Sequence, residues 1–228
     1  MKSITSKTST GKTCKPPYIP DSEKMTGNEL QSAYDELAAQ YEQKTWFDQY
    51  ILGVARQRKQ LMSKAHGKIL DVACGTGLNF PMFPATSEIS AVDLSPRMLE
   101  IAQQKAAQLN LNVQIKVMDA QRLEFPDASF DTVTSTLSTC TFPDPIQALQ
   151  EMKRVCRTDG QILLLEHGHS SMSWLANYQD RRVLQHYQQH AGCRWNQDPL
   201  DLVRAAGLKV LSSRRFGLGM FHSIEATP

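Results

Sequence analysis

The chain has 228 residues, of which 41% are hydrophobic and 21% are charged. This suits one large globular domain and leaves little room for two. The longest aliphatic block, residues 162–165, is far shorter than the roughly 20 residues of a membrane-spanning helix. The net charge of +2 gives no whole-chain argument for nucleic acid, and we predict no nucleic-acid partner.

Residues 1–20 form a basic segment. They contain four lysines and no acidic residue, so they carry +4 and the remaining chain carries 2 − 4 = −2. Pro16, Pro17 and Pro20 disfavour regular structure there. We predict a disordered basic tail over residues 1–27 and a single domain over residues 28–228. The Ser, Thr and Lys content of the tail also partly fits an organelle transit peptide, although arginine and amphipathic spacing are missing.

The cysteines indicate the compartment. Five cysteines, an odd number scattered along the chain, are not typical of a disulfide framework. We therefore predict a reducing, cytoplasmic location, with organelle targeting by the basic tail as the alternative.

Helical periodicity starts near Asn28. Apolar and aromatic side chains then recur at spacings of three and four, at Leu30, Tyr34, Leu37 and Tyr41. A second helical stretch is predicted over residues 46–65. We interpret its basic side chains, Arg58 among them, as a solvated face, with contact to an anionic surface as the alternative.

From residue 68 onward, short apolar runs alternate with helical stretches. The predicted strands are residues 68–72, 89–93, 113–118, 132–136, 161–166, 209–215 and 220–226. The predicted helices are one directly after Val72 and those of residues 96–109, 145–156, 174–189 and 199–206. This order is typical of an α/β fold with one doubly wound, mostly parallel sheet of seven strands. The short connection at residues 216–219 predicts that the last strand is antiparallel.

The most informative segment is the turn after the first predicted strand. In residues 71–77, Asp-Val-Ala-Cys-Gly-Thr-Gly, two glycines let the backbone approach a ligand closely. The second strand ends in Asp93, 93 − 71 = 22 residues after Asp71, where a carboxylate can accept hydrogen bonds from ribose hydroxyls. The combination predicts a cofactor that contains adenosine.

The third glycine position distinguishes the adenosine cofactors. Dinucleotide sites need a glycine where this chain has Phe80. Asp71 would also repel a pyrophosphate, whereas it would attract the ammonium group of S-adenosylmethionine. We therefore predict S-adenosylmethionine and disfavour the alternative, an NAD-dependent oxidoreductase.

Five motifs in order carry a resemblance to a known family. They are the loop of residues 71–77, Ala-Val-Asp-Leu-Ser-Pro-Arg-Met-Leu (91–99), Met-Asp-Ala (118–120), Leu-Glu-Phe-Pro-Asp-Ala-Ser-Phe-Asp (123–131) and Arg-Val-Cys-Arg-Thr-Asp-Gly (154–160). The chain resembles the class I S-adenosylmethionine-dependent methyltransferases, most of all the ubiquinone/menaquinone-biosynthesis branch with its methyltransferase type 11 domain. The resemblance covers about residues 34–165. It implies a Rossmann-like methyltransferase fold with an N-terminal helical lid.

The resemblance also implies a set of cofactor-binding residues. The loop holds the methionine end, Asp93 the ribose, and residues 94–98 and 119–120 the adenine; Tyr34 belongs to the lid, and Thr136 lies near the sulfonium. The complete set is Tyr34, Asp71, Ala73, Gly75, Thr76, Gly77, Asp93, Leu94, Met98, Asp119, Ala120 and Thr136. Core packing is the alternative role for Leu94 and Met98, and turn formation for Asp119.

The candidate catalytic residue is His167, just past the fifth predicted strand. Methyl transfer needs an in-line nucleophile and, for some acceptors, a base, which a histidine can supply near neutral pH. A structural role is the alternative. We predict no metal, because the histidine pairs at 167/169 and 186/190 lack a third ligand at suitable spacing. Cys140 and Cys193 are the cysteines that could face a thiophilic substrate.

The predicted function is methyl transfer from S-adenosylmethionine to a small-molecule acceptor. The candidates are a quinone, a lipid headgroup, or a small thiol or amine, and residues 170–196 are expected to shape the acceptor pocket. The alternative is a protein that binds S-adenosylmethionine without methyl transfer and acts as an assembly or regulatory factor. Peripheral contact with a membrane and the oligomeric state stay open.

Overall fold

The computed structural model describes residues 19–228. Residues 1–18 of the predicted tail lie outside the described residues. The rest of that segment packs on the domain: the Ile19 side chain is buried against Val183 and Tyr187. The Met25 amide also donates a hydrogen bond to the Tyr187 hydroxyl at 2.8 Å. Packing therefore extends N-terminal to the predicted boundary at residue 28.

Eight α-helices and seven strands occupy residues 19–228. The helices are α1 (Gly27–Leu37), α2 (Tyr41–Lys44), α3 (Trp46–Tyr50), α4 (Val54–Met62), α5 (Pro96–Gln108), α6 (Pro145–Val155), α7 (Ser173–Gln189) and α8 (Pro199–Ala205). The strands are β1 (Lys68–Val72), β2 (Glu88–Asp93), β3 (Val113–Val117), β4 (Phe130–Thr136), β5 (Cys156–His167), β6 (Lys209–Phe216) and β7 (Phe221–Thr227). None of these helices combines the length and the apolar content needed to cross a bilayer.

All seven strands form one sheet in the order β3-β2-β1-β4-β5-β7-β6. Strands β1 to β5 are parallel, and β7 is antiparallel to both of its neighbours. This confirms the predicted seven-stranded, mostly parallel sheet and its antiparallel last strand. The chain order reverses beside β1, and in open sheets of this kind ligands bind at the carboxyl ends of the strands at such a point.

Two apolar cores cover the two faces of the sheet. Along β1, Leu70 and Val72 belong to one core and Ile69 to the other. This follows from the period of two in a strand, which sends successive side chains to opposite faces. Both faces of the central strands are buried, as expected when helices cover a parallel sheet.

Local signals explain where the helices next to the sheet begin. The Ser95 hydroxyl accepts a hydrogen bond from the Met98 amide at 3.1 Å, and Pro96 occupies the first turn of α5. Asp144 caps α6 in the same way, through the amides of Ile146 and Gln147. Such caps satisfy amides that have no partner within the helix, and they fix the first residue of the helix.

Three predicted elements differ from the structure. The predicted helix of residues 46–65 is divided into α3 and α4, because Gly53 adopts a left-handed φ of +80° between them. The predicted helix after Val72 is wrong; a single 3₁₀ turn, Phe80–Met82, takes its place. The predicted strand of residues 161–166 begins earlier, at Cys156. Phe130 pairs with Cys156 and Thr132 with Gln161, which leaves residues 157–160 as a bulge within β5.

Candidate functional site

A cavity lies at the carboxyl ends of the central strands, with α1 and α2 contributing to its wall. It encloses about 750 Å³ free of protein atoms, counting the solvent at its mouth. Nine of the twelve predicted cofactor-binding residues line it: Tyr34, Ala73, Gly75, Asp93, Leu94, Met98, Asp119, Ala120 and Thr136. The other three, Asp71, Thr76 and Gly77, lie outside the lining. The fold thus brings most of the predicted residues to one cavity.

The two glycines of the loop after β1 have different roles. Gly75 has a φ of +55°, and a Cβ atom there would meet no other atom within 4 Å, so the backbone at this point faces open space. A Cβ atom on Gly77 would lie 2.6 Å from the Phe80 ring. Phe80, which is buried, therefore packs directly on Gly77.

Asp93 links this loop to the start of α5. Its Oδ2 accepts a hydrogen bond from the Gly75 amide and its Oδ1 accepts one from the Ser95 amide, both at 2.9 Å. Burial raises the pKa of the Asp93 carboxyl, and the backbone amides act in the opposite direction. The carboxylate is thus held in place by the backbone while it lines the cavity.

Asp71 is buried beneath the loop with one oxygen unpaired. Its Oδ1 accepts hydrogen bonds from the Thr134 hydroxyl at 2.7 Å and the Asn79 amide group at 2.8 Å. Its Oδ2 has no hydrogen-bond partner among the described residues. Burial raises the pKa of Asp71 to about 6, because the charged form loses its hydration there.

Arg58 is the main site residue that the sequence interpretation missed. It is only 3% exposed, and its Nη1 donates hydrogen bonds to Asn79 Oδ1 and Thr136 Oγ1, each at 2.7 Å. The interpretation as part of a solvated face is therefore wrong for this side chain. The available signal was its spacing of four from Val54, since residues four apart lie on one face of a helix and Val54 is fully buried.

Arg58 also has an unsatisfied donor. Its Nε has no hydrogen-bond partner among residues 19–228. Burial lowers the pKa of the guanidinium, whereas the carboxylates of Asp71 and Glu166 favour its protonated form. A buried cation and the buried carboxyl group of Asp71 thus share one side of the loop, each with an unpaired atom.

Two tyrosines of the N-terminal helices line the cavity. Tyr34 lies on α1 and Tyr41 at the start of α2. Burial raises the pKa of both phenols, that of Tyr41 to about 12, so both hydroxyls are neutral hydrogen-bonding groups. This agrees with the predicted N-terminal helical lid.

Two carboxylates connect the lid, formed by α1 and α2, to the sheet domain. Asp35 Oδ1 accepts hydrogen bonds from the Ser95 hydroxyl at 2.5 Å and from the Arg97 amide at 3.1 Å. Glu42 Oε1 accepts hydrogen bonds from the Thr76 hydroxyl at 2.8 Å and the Lys105 ammonium at 2.5 Å. Thr76, although outside the cavity lining, therefore connects the glycine loop to the lid.

His167, the predicted base, is the last residue of β5 and is not among the residues that line the cavity. Its Nε2 lies 3.3 Å from the Cys193 thiol. Burial lowers the pKa of His167, but Cys140, Glu166 and Asp48 raise it by more, to about 9. In this arrangement the ring is protonated at neutral pH and must first lose a proton before it can act as a base.

Residues 170–196, predicted to shape the acceptor pocket, pack largely against one another. The indole of Trp195 stacks on the His186 ring at 3.9 Å between centroids. Arg194 donates hydrogen bonds from its amide and its Nε to the Cys140 carbonyl, at 3.0 and 3.1 Å. The segment thus holds the loop after β4, and none of its residues is among those that line the cavity.

Sequence comparison gives a family for this fold and cavity. The family described as "Methyltransferase domain" matches residues 70–164, which include the loop after β1 and the ends of β2 and β4. A phosphatidylethanolamine N-methyltransferase of Cereibacter sphaeroides is 30% identical over 140 residues, or 58% of this chain and 68% of that protein. Demethylmenaquinone methyltransferases match over shorter stretches at 37–41% identity.

Two further similarities extend over more of the chain. The mitochondrial methyltransferase OMS1 of Saccharomyces cerevisiae is 26% identical over 212 residues, or 85% of this chain; the chain spans 45% of that protein's length. A SAM-dependent methyltransferase structure from Thermotoga maritima has a TM-score of 0.64 at 20% identity, and covers 87% of this chain and 99% of its own. The chain belongs to the family of S-adenosylmethionine-dependent methyltransferases, with S-adenosylmethionine as its cofactor.

Proposed function

We propose that this enzyme methylates a small acceptor of the quinone or lipid-headgroup class, and that it does so at a lipid surface. The observation that carries the proposal is the exposed apolar face of α3, next to the lid.

The methionine end of the cofactor fits the pair of unpaired buried atoms beneath the loop. S-adenosylmethionine supplies a methyl group on a positively charged sulfur, and its amino-acid end carries an ammonium and a carboxylate. Asp71 Oδ2 and Arg58 Nε have no partner among the described residues. Asp71 would hold the ammonium and Arg58 the carboxylate, because each would then gain a charge-assisted hydrogen bond.

The nucleoside end fits the opposite side of the cavity. Asp93 would accept hydrogen bonds from the ribose hydroxyls, since its oxygens retain lone pairs after accepting two backbone amides. Leu94 and Met98 would contact the faces of the adenine, and Asp119 its amino edge. The Asp119 carboxylate is already held by the Gln121 amide at 2.9 Å, which fixes it at the cavity wall.

The acceptor class is inferred from the surface beside the lid. Four large apolar or aromatic side chains of residues 46–51 are 53–67% exposed: Trp46, Phe47, Tyr50 and Ile51. A contiguous exposed apolar segment of this kind marks a binding surface, and aromatic side chains suit the boundary between lipid and water. Its exposed basic neighbours, Lys44, Arg56 and Lys59, match anionic lipid headgroups.

The names of two relatives agree with this class. A phosphatidylethanolamine N-methyltransferase and demethylmenaquinone methyltransferases match this chain in the part that contains the glycine loop. Their names refer to a lipid headgroup and to a quinone. Both acceptors combine a reactive polar group with a long apolar body, which a lipid surface would present to the cavity.

The test combines a methylation assay with a binding assay. The full chain is incubated with methyl-labelled S-adenosylmethionine and total cell extract, which is then partitioned into lipid, aqueous and protein fractions. We expect the label in the lipid fraction. Label confined to the aqueous or the protein fraction would contradict the proposal.

The binding assay uses sedimentation with vesicles of phosphatidylcholine and phosphatidylglycerol. The double variant Phe47→Ser/Tyr50→Ser should lose vesicle binding. Leu211→Ser, which changes a 60% exposed side chain on the edge strand β6, is the matched control and should bind as the parent does. Equal binding by all three proteins would show that α3 is not the lipid-facing surface.

A further inference from the structure

Three side chains with soft or nitrogen ligand atoms converge behind the cavity wall. Cys140 follows β4, His167 ends β5, and Cys193 follows α7. One ligand atom from each lies within 4.8 Å of the other two, and Nε2 of His167 is 3.3 Å from the Cys193 sulfur. The sequence prediction of no metal considered only histidine pairs and therefore did not test this set.

The backbone around the two cysteines is fixed in advance of any ligand. Both thiols are buried, Cys140 at 1% exposure and Cys193 at 8%. The neighbouring Arg194 holds the Cys140 carbonyl with two hydrogen bonds, and the Cys193 amide donates to the His190 carbonyl at 3.0 Å. Gly192 adopts a φ of +74°, and a Cβ atom there would lie 2.8 Å from the Leu30 side chain. The two cysteines are thus positioned by contacts that do not involve their sulfurs.

We propose that Cys140, His167 and Cys193 bind one Zn²⁺ ion. Two thiolates, one imidazole and an open fourth position form a ligand set that zinc uses in proteins. Tetrahedral zinc places such ligand atoms about 3.5–3.8 Å apart, given Zn–S and Zn–N bonds of about 2.3 and 2.0–2.1 Å. The three atoms here need to move by only about 1 Å to reach that geometry.

Charge selects a divalent ion for this buried position. Two thiolates carry −2, so a divalent ion with a neutral imidazole gives a complex with no net charge, whereas a monovalent ion leaves −1. A buried net charge is costly, so the neutral complex is favoured. Thiolate ligands in turn favour zinc over magnesium or calcium, which bind oxygen ligands.

The fourth ligand position of this site would be close to the cavity. Ser138 and Thr141, on either side of Cys140 in the sequence, line the cavity wall. Zinc binding does not depend on the acceptor proposed above, and it is measured separately from methyl transfer.

The experiment measures metal binding by the full chain. The protein is reduced, freed of metal with a chelator, and titrated with Zn²⁺ against a chromophoric competitor. Titration with Co²⁺ in place of Zn²⁺ reports the ligands, since thiolate-to-cobalt charge transfer absorbs in the near ultraviolet and tetrahedral Co²⁺ absorbs in the visible. We expect one equivalent of metal and both spectral signatures.

Ligand variants and a cysteine control identify the site. Cys140→Ser, Cys193→Ser and His167→Asn should each weaken Zn²⁺ binding by more than about 100-fold, the upper range for loss of an outer hydrogen-bond partner. The control Cys156→Ser changes a buried cysteine at the start of β5 that lies outside the cluster, and it should bind zinc as the parent does. Circular dichroism confirms that each variant is folded.

Two outcomes would overturn the proposal. The first is a parent protein that binds no Zn²⁺ under reducing conditions, a result that does not depend on the folding of any variant. The second is binding that is weakened more in the cysteine control than in the ligand variants. Either outcome leaves the proposed methylation untouched, because the label-partition assay measures that independently.

Discussion

Glu42 of the lid accepts a hydrogen bond from Thr76 of the glycine loop, with 2.8 Å between Oε1 and Oγ1. Lys105 of α5 donates to the same carboxylate oxygen at 2.5 Å. Burial raises the pKa of Glu42, but the hydrogen bonds from Lys105 and Thr76 lower it by more, so the group is charged at neutral pH. One side chain therefore holds the lid to the loop that borders the cavity.

Glu42→Ala should loosen the lid and weaken cofactor binding. A hydrogen bond to a charged group contributes roughly 1.5–3 kcal/mol, so we expect the Kd for S-adenosylhomocysteine to rise about tenfold or more. Isothermal titration calorimetry measures this. Glu36→Ala, an exposed glutamate on α1, is the matched control and should leave the Kd unchanged. An unchanged Kd for Glu42→Ala would mean that the lid does not close through this contact.

Arg58→Met should lower cofactor affinity because it removes the proposed partner of the methionine carboxylate. The expected loss is at least about tenfold, the value of one charge-assisted hydrogen bond. Arg56→Met changes an exposed arginine on the same helix and serves as the control. If both variants bind S-adenosylhomocysteine equally well, Arg58 only supports the packing beneath the loop.

Asp71→Asn should stabilise the cofactor-free protein at neutral pH. The pKa of Asp71 in the folded protein, about 6, lies above the model-peptide value of 3.8, so the folded state resists ionisation. The free energy of unfolding should therefore fall as the pH rises from about 4 to 6, by roughly 3 kcal/mol in total. Asparagine retains an oxygen for Asn79 and Thr134 but carries no charge.

Thermal unfolding over this pH range tests the Asp71 prediction. The Tm of Asp71→Asn should exceed that of the parent at pH 7, and the difference should shrink towards pH 4. A saturating amount of S-adenosylhomocysteine should raise the Tm of the parent more than that of the variant. A difference that does not change with pH would show that folding leaves the pKa of Asp71 near its model-peptide value.

Asp93→Ala should weaken cofactor binding at least tenfold, since it removes the proposed hydrogen bonds to the ribose, each of roughly 1.5–3 kcal/mol. The variant also frees the amides of Gly75 and Ser95, so part of the loss would come from the loop. Asp93→Asn, which keeps an acceptor for one amide, helps to separate the two effects. Unchanged affinity in both variants would place the ribose elsewhere.

His167→Gln distinguishes a base from a metal ligand or a structural residue. If His167 is a base, turnover should fall by a factor of about 10²–10⁴ with cofactor affinity intact. The parent should then gain activity as the pH rises towards about 9, because the ring must be deprotonated first. A loss smaller than about fivefold, or a parent without this pH dependence, would leave no catalytic role for the residue.

The central sheet and most of the cavity were predictable because their signals are local. The glycine loop, the cap at Ser95 and the alternation of strand and helix each lie within a few residues, and their physics does not depend on distant parts of the chain. Ser95 caps α5 at the predicted start of that helix, and Asp93 reaches the cavity. Such local signals also place Leu94 and Met98 on the cavity wall.

The missed features depend on contacts between distant segments. The spacing of four from Val54 indicates which face of α4 carries Arg58, but it does not reveal the partners of the side chain. Those partners, Asn79 and Thr136, follow the glycine loop and end β4, respectively. His167 and Cys193 are 26 residues apart in the sequence and meet only because residues 170–196 fold back onto the end of β5. No period or motif in either segment predicts that meeting.

The contacts of the N-terminal segment determine how the cavity can open. At one end of the lid, Ile19 and Met25 pack against α7, and the Met25 amide also donates a hydrogen bond to Tyr187. At the other end, Val54 is buried in the core of the sheet domain. The helices that cover the cavity are thus held to the rest of the domain at both ends. We therefore expect a ligand to enter when the middle of this segment moves away from the sheet domain. That movement must break the contacts of Asp35 and Glu42. The contacts of these two carboxylates should accordingly govern the rate at which S-adenosylhomocysteine leaves and S-adenosylmethionine enters.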